Sequence, residues 1–152
     1  RDDKLARMRE LGADLGVNYR STAAWGERVR ELTGGVDIVL DMVGGDYVPK
    51  NIACMADDAR HVSIAFQRGP TAEVNLALVM RKRLVLTGSM LRPRPIAFKT
   101  AIAETLEGVI WPAFEAGRLT PVTDMVFPLA EAAAAHARME SGAHVGKIVL
   151  TV

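Results

Sequence analysis

One run of residues limits the fold more than any other: Val36-Asp37-Ile38-Val39-Leu40-Asp41-Met42-Val43-Gly44-Gly45. Its first part is short and largely apolar, with the β-branched side chains that suit a strand buried within a sheet. The two glycines then allow a tight turn at the strand's carboxyl end. In an open parallel sheet that end is where a ligand binds. The glycine-rich phosphate loop that opens such a sheet is not found ahead of this strand. The chain therefore reads as the latter part of a dinucleotide-binding domain, entered partway through.

The flanking segments repeat the alternation. Leu5, Met8 and Leu11 share a helical face with Gly12 as its C-cap, and residues 15–19 make a short strand. Ser21 or Thr22 is placed to cap a helix with Trp25, Val29 and Leu32 inward, ended by Thr33-Gly34-Gly35. After the central strand, Val48, Ile52 and Met55 fit a helix that tolerates Pro49 in its first turn. Strands are expected from His61 to Phe66 and from Leu84 to Met90, with a helix from Leu76 to Arg81 between them. Strands and helices alternating at this spacing imply a parallel, doubly wound sheet. Beyond Pro93 and Pro95, a helical stretch runs from Ile96 to about residue 116, interrupted by Gly108 and Pro112. The tail differs: strand-like segments at 123–127 and 147–152 flank an alanine-rich helix from Leu129 to Glu140.

Composition removes several function classes. A net charge of +1 offers no electrostatic reason to expect nucleic acid or an acidic membrane as partner. No apolar run reaches the roughly 18 residues of a membrane span. The single cysteine, Cys54, rules out an intrachain disulfide and a multi-cysteine zinc site, and fits a reduced, cytoplasmic setting. His61, His136 and His144 lack partners at metal-ligand spacing, so no metal site is expected. No G-x-S-x-G elbow supports acyl transfer.

Three groups remain as binding candidates. Arg1, Lys4 and Tyr19 lie where a dinucleotide fold meets the adenosine ribose, and basic residues there accept a 2′-phosphate. The residues alone equally allow solvated groups at a helix start, with Asp2 or Asp3 as N-cap or ribose acceptor. Val43 and Gly44 sit in a turn that permits close backbone approach to a flat ligand, or that simply links strand to helix with Asp46 as cap. The strand end Ser63-Ile64-Ala65-Phe66 borders the same crevice, although Phe66 also suits a core position.

The ordered series Lys4-Leu5, Leu11-Gly12-Ala13, Asn18-Tyr19-Arg20, Leu32-Thr33-Gly34-Gly35 and Asp41-Met42-Val43-Gly44-Gly45 resembles the medium-chain dehydrogenase/reductase superfamily. The tail, with Phe127-Pro128-Leu129, His136, Met139-Glu140 and Gly146-Lys147-Ile148-Val149-Leu150, keeps the same order. The branch it most resembles is that of the zinc-independent NADPH:quinone oxidoreductases of the zeta-crystallin type.

The resemblance implies a fold class: α/β, a partial doubly wound parallel (Rossmann) sheet plus a C-terminal segment belonging to a GroES-like domain. Residues 1–118 would be the latter part of the Rossmann domain, and residues 119–152 would return to a GroES-like substrate domain. It further implies NADP (NADPH) as cofactor and direct hydride transfer to a quinone or another α,β-unsaturated carbonyl. Lys4 and Tyr19 match positions that hold the 2′-phosphate, joined by Arg1. Val43, Gly44, Ile64, Ala65 and Phe66 would border the cofactor. Ser89, Met90 and Leu91 match a loop near the nicotinamide, and Lys147 lies in the terminal motif. Gly142 stands where some members carry a phosphate-binding arginine. The run from Leu84 to Met90 matches an edge strand that pairs across a homodimer, and an exposed apolar edge gives such pairing a physical reason.

No catalytic residue is assigned. The chain on its own is expected to have little or no activity, because the backbone cradle for pyrophosphate is missing. Two rival readings are an enoyl-thioester reductase of the same superfamily and a non-catalytic zeta-crystallin-like structural or RNA-binding protein. The aromatic content of 5% counts against a single-strand binding platform.

Overall fold

The computed structural model describes residues 2–152, so Arg1 lies outside the described residues. The chain forms two compact units, divided between Pro93 and Arg94.

The first unit begins with helix α1 (Asp2–Glu10), whose end is closed at Gly12 with φ +100°. Bonds from Gly12 N to Arg9 O and from Ala13 N to Met8 O satisfy its last carbonyls. The strand expected at residues 15–19 does not form. A strand needs a hydrogen-bonded neighbour, and no described strand lies beside this segment. Its backbone bonds are local instead: Arg20 N donates to Asn18 Oδ1, and Ser21 N and Thr22 N donate to Asn18 O. That turn also displaces the expected cap. Helix α2 (Trp25–Thr33) starts after Ala24 without a side-chain cap, and ends at Gly34 in the left-handed region as expected.

Strand β1 (Val36–Asp41) leads into helix α3 (Tyr47–Cys54). Met55 does not continue that helix but opens strand β2 (Met55–Ser63). β2 therefore starts six residues earlier than its sequence pattern suggests and stops before Ile64. Its early part bulges: Val36 pairs with Met55 and Ile38 already pairs with Arg60. Asp58, at φ 61°, makes the detour, which lets Met55, Ala59 and His61 all be buried. Helix α4 (Leu76–Lys82) is capped by Asn75, whose side chain accepts from Leu78 N, and strand β3 (Val85–Gly88) follows. The three strands are parallel in the order β1-β2-β3.

The core of this unit is Ile52, Met55, Ala59 and Leu84, with Val36, Val39, Val48, Val74, Leu78 and Val79 packed around it. Burial of such side chains contributes about 1.5–3 kcal/mol each and holds α3 and α4 on one face of the sheet. Ile38 and Leu40 on β1 stay 70% and 67% exposed. At the end of α3 the carbonyl of Met55 receives both Arg30 Nη1 at 2.7 Å and Lys82 Nζ at 2.5 Å. Two cations thus serve the negative end of one helix, which explains how Lys82 comes to be buried. Desolvation, then the nearby Arg30, pushes the Lys82 ammonium below its ordinary pKa.

The second unit contains helices α5 (Ile96–Val109) and α6 (Trp111–Glu115), strand β4 (Thr123–Pro128), helix α7 (Ala132–Glu140) and strand β5 (Lys147–Thr151). Gly108 is accommodated within α5, and the break falls at Ile110, just ahead of Pro112. The first turn of the expected tail helix is instead a 3-10 turn, Leu129–Glu131. β4 and β5 are parallel, joined through α7. Asp124 ties this unit together: one carboxylate oxygen pairs with Arg138 Nε on α7 at 2.5 Å, and the other accepts from Val145 N at 3.0 Å.

No described helix is long and apolar enough to cross a membrane.

Candidate cofactor cleft

Parallel pairing brings the ends of all three strands of the first unit to one edge. Asp41 pairs with Ser63, and Ser63 with Gly88. The ladder runs one step further, through Ile64 N to Asp41 O and Ser89 N to Ser63 O. The residues singled out at strand ends, Ile64, Ala65, Phe66, Ser89, Met90 and Leu91, therefore follow directly from this common edge. Ile64, Phe66, Met90 and Leu91 are exposed apolar side chains there.

The turn after β1 is closed by its own aspartate. Asp41 Oδ1 accepts from Val43 N at 2.8 Å and from Gly44 N at 3.1 Å. Those N–H groups are thus committed within the protein. The loop after β2 rests on this turn: Arg68 N donates to Val43 O at 2.8 Å, and Gly45 N to Gly69 O at 3.0 Å. Gly44 has φ +68°, and a Cβ there would come 2.7 Å from Gly69 O and 3.0 Å from Phe66 Cδ1. Glycine is required here both by its dihedral and by the loop packed against it. Gly44, Phe66, His61, Ser63 and Thr87 line a cleft of about 330 Å³ at the strand ends.

Beside the turn lies an aromatic and cationic cluster that the sequence pattern did not reveal. Tyr47 meets Trp25 at 5.3 Å between ring centroids and Tyr19 edge-on at 6.1 Å. Lys50 and Arg68 approach the Tyr47 ring at 5.4 and 5.8 Å. Asp46 does not cap α3; it pairs with Arg68 at 2.6 Å and with Lys50 at 3.5 Å. The hydrogen bond from Arg68 holds the Asp46 carboxyl below the usual carboxylate range. Burial pushes the Tyr47 hydroxyl up.

Tyr19 is half exposed at the rim of this cluster. Lys4 is half-buried on α1, and Asn18 Nδ2 donates to Asp2 Oδ1, tying the start of that helix to the turn that carries Tyr19. Asp2 accordingly serves a tertiary contact within the helix. Lys147 belongs to the second unit, where it opens β5. Cys54 is buried, its thiol donates to Asn51 O at 3.0 Å, and burial raises its pKa, as befits a core cysteine. Among the described residues, no group of three or more His, Cys, Asp or Glu side chains is arranged to hold a metal ion.

Known proteins place this architecture. The profile of the zinc-binding dehydrogenase family matches residues 11–150. The chain belongs to that family. A 2-haloacrylate reductase from Burkholderia sp is 32% identical over 155 residues, covering 98% of this chain and 45% of the relative. The quinone oxidoreductase of Thermus thermophilus, whose structures include its complex with NADPH, superposes with a TM-score of 0.80 at 31% identity. That superposition covers 100% of this chain and 47% of the other. An NAD-dependent alcohol dehydrogenase superposes with a TM-score of 0.79 at 34% identity, over 100% of this chain and 42% of the other. The chain thus spans less than half the length of these relatives. These solved neighbours share the α/β fold with its parallel sheet.

Proposed function

We propose that this chain provides the cofactor-facing strand ends of a zinc-independent reductase that uses NADPH to reduce quinones or other α,β-unsaturated carbonyls. The observation that carries the reading is the common edge of three parallel strands, where Asp41, Ser63 and Gly88 stand in register beside the closed Gly44 turn. Relatives whose names specify a quinone oxidoreductase and a haloacrylate reductase support the acceptor class, since a quinone and an acrylate both present a conjugated carbonyl.

The residues present fit a nicotinamide dinucleotide. The cleft is open, with Phe66 and Leu86 beside the small Gly44 and the polar Ser63 and Thr87, which suits a flat ring that carries an amide; segments 64–65 and 89–91 follow the same strand ends. Lys4 and Tyr19, with Arg1, would hold the 2′-phosphate. NADPH, when bound, supplies the hydride. The protein's part is to fix the ring's orientation and exclude water, a contribution of positioning. No described side chain is assigned as proton donor.

In the same reading, residues 1–118 belong to the nucleotide-binding domain and 119–152 to the substrate domain. The edge strand β3, with Val85 and Leu86 each 41% exposed, is the element through which two copies would pair.

The test is a titration of the purified chain with NADPH and NADH, followed by nicotinamide fluorescence. NADPH should bind more tightly, and Lys4→Ala should weaken NADPH while leaving NADH unchanged. Equal binding of both cofactors, or tighter binding of NADH, would remove the NADPH reading.

A further inference from the structure

Beneath the Gly44 turn, three polar side chains are sealed from solvent: Asp41, Asn51 and His61 are 4%, 6% and 2% exposed. His61 Nε2 lies 3.3 Å from Asp41 Oδ2 and 3.2 Å from Asn51 Nδ2. A carboxylate oxygen can only accept. If Nε2 carried a lone pair, it would face that oxygen without water to intervene, leaving two buried acceptors opposed. With the proton on Nε2, the contact becomes a hydrogen bond from His61 to Asp41. Asn51 then faces the same N–H with its oxygen, an orientation reached by a half-turn of the amide that preserves the shape of the site.

Both oxygens of Asp41 serve the turn: Oδ1 accepts from the Val43 and Gly44 N–H groups, and Oδ2, which also accepts from Gly44 N at 3.3 Å, is the oxygen met by His61. Rotation of the carboxylate would break both at once.

We propose that His61 is a positioning residue for the cofactor cleft: its Nε2–H, the tautomer that the facing Asp41 oxygen requires, locks Asp41 in the orientation that closes the Val43-Gly44 turn. The turn in turn carries the loop that sets Phe66 against Gly44, so the shape of the cleft wall depends on a histidine at its floor. The effect on NADPH rests on the function proposed above; the effect on the turn does not.

Two measurements on the whole chain test this. Long-range nitrogen–proton spectra of the histidine side chains, assigned against His136→Gln and His144→Gln, should show His61 protonated at Nε2. Protonation at Nδ1 alone would overturn the proposal without any variant having to fold. Amide hydrogen exchange is then compared in His61→Phe, which removes the donor, and His61→Gln, whose amide nitrogen reaches the Nε2 position. Exchange at Val43 and Gly44 should rise about tenfold or more in the phenylalanine variant and stay near wild type in the glutamine variant. Unchanged exchange in His61→Phe, or no rescue by glutamine, would refute the lock. Amides of Ile52 and Ala59 report general unfolding; should they speed up equally in His61→Phe, the glutamine variant and the wild-type tautomer decide. NADPH titration of the same variants should follow the turn, weaker in His61→Phe and restored in His61→Gln. If exchange responds as expected while no variant, Lys4→Ala included, alters NADPH binding, the cofactor reading fails and the positioning role stands.

Discussion

The Asp41 carboxylate lies 3.3 Å from Nε2 of His61, at the point where β1 ends and the glycine turn begins. The two residues are 20 positions apart and meet because β1 and β2 are parallel neighbours, with Asp41 paired to Ser63. The contact joins the strand that makes the turn to the strand that floors the cleft.

Replacing Asp41 with alanine removes the acceptor for the buried Gly44 N–H and the half-buried Val43 N–H. The loss should be roughly 1–3 kcal/mol, the cost of leaving such donors unsatisfied. Urea unfolding of wild type and variant measures it; a change below experimental error would show that the turn closes without the carboxylate.

Gly44→Ala introduces a methyl group 2.7 Å from Gly69 O at a positive φ. The loop after β2 must then lift from the turn. We expect a loss of about 1–3 kcal/mol and weaker protection of the Arg68 amide, which bonds to Val43 O. By contrast Gly34→Ala, at a comparable φ of +78°, has open space around its Cβ, so it reports the dihedral effect alone. If the two variants lose equal stability, the packing explanation is wrong.

Arg30 and Lys82 share one acceptor, the Met55 carbonyl. Each single replacement by methionine leaves the other cation in place, so each should cost less than about 1 kcal/mol. The double variant leaves the carbonyl without either and should lose more than the sum of the singles, by about 0.5–2 kcal/mol. A strictly additive double-mutant cycle would mean that the two cations act independently.

Asp124 gives the second unit a predictable acid response. Its hydrogen bonds from Arg138 and the Val145 amide hold the carboxyl below its ordinary value of 3.8. A depressed folded-state pKa adds stability that is present above the unfolded value and fades as pH falls through the folded one. In a Trp25→Phe background, Trp111 is the remaining tryptophan and reports on this unit. The stability gap between Asp124 and Asp124→Asn should be full above the ordinary carboxyl value and close as the pH falls below it, through the depressed folded-state value. A gap that persists in strong acid would assign it to packing instead of charge.

The α/β order, the strand from Val36 to Asp41 and the glycine turn were legible because each is encoded within a few neighbouring residues. Apolar periodicity marks the strand, and glycine marks a backbone that other residues resist adopting. Gly12 and Gly34 closed their helices for the same local reason. The family order of motifs was legible too, since it is a property of the sequence alone. Tertiary structure decided what depends on partners distant along the chain. Residues 15–19 carry strand-like side chains but have no neighbouring strand to bond to, whereas Met55 leaves its helix for β2 because the core takes it there. The sequence shows His61 as an isolated histidine, and Asp46 as a helix cap. Only the packing of α3 and β1 against β2 sets His61 between Asn51 and Asp41, and only the fold of the 66–69 loop brings Arg68 to Asp46. Burial then makes the difference: a polar group sealed from water must find its partner within the protein, and the fold determines which residue that is.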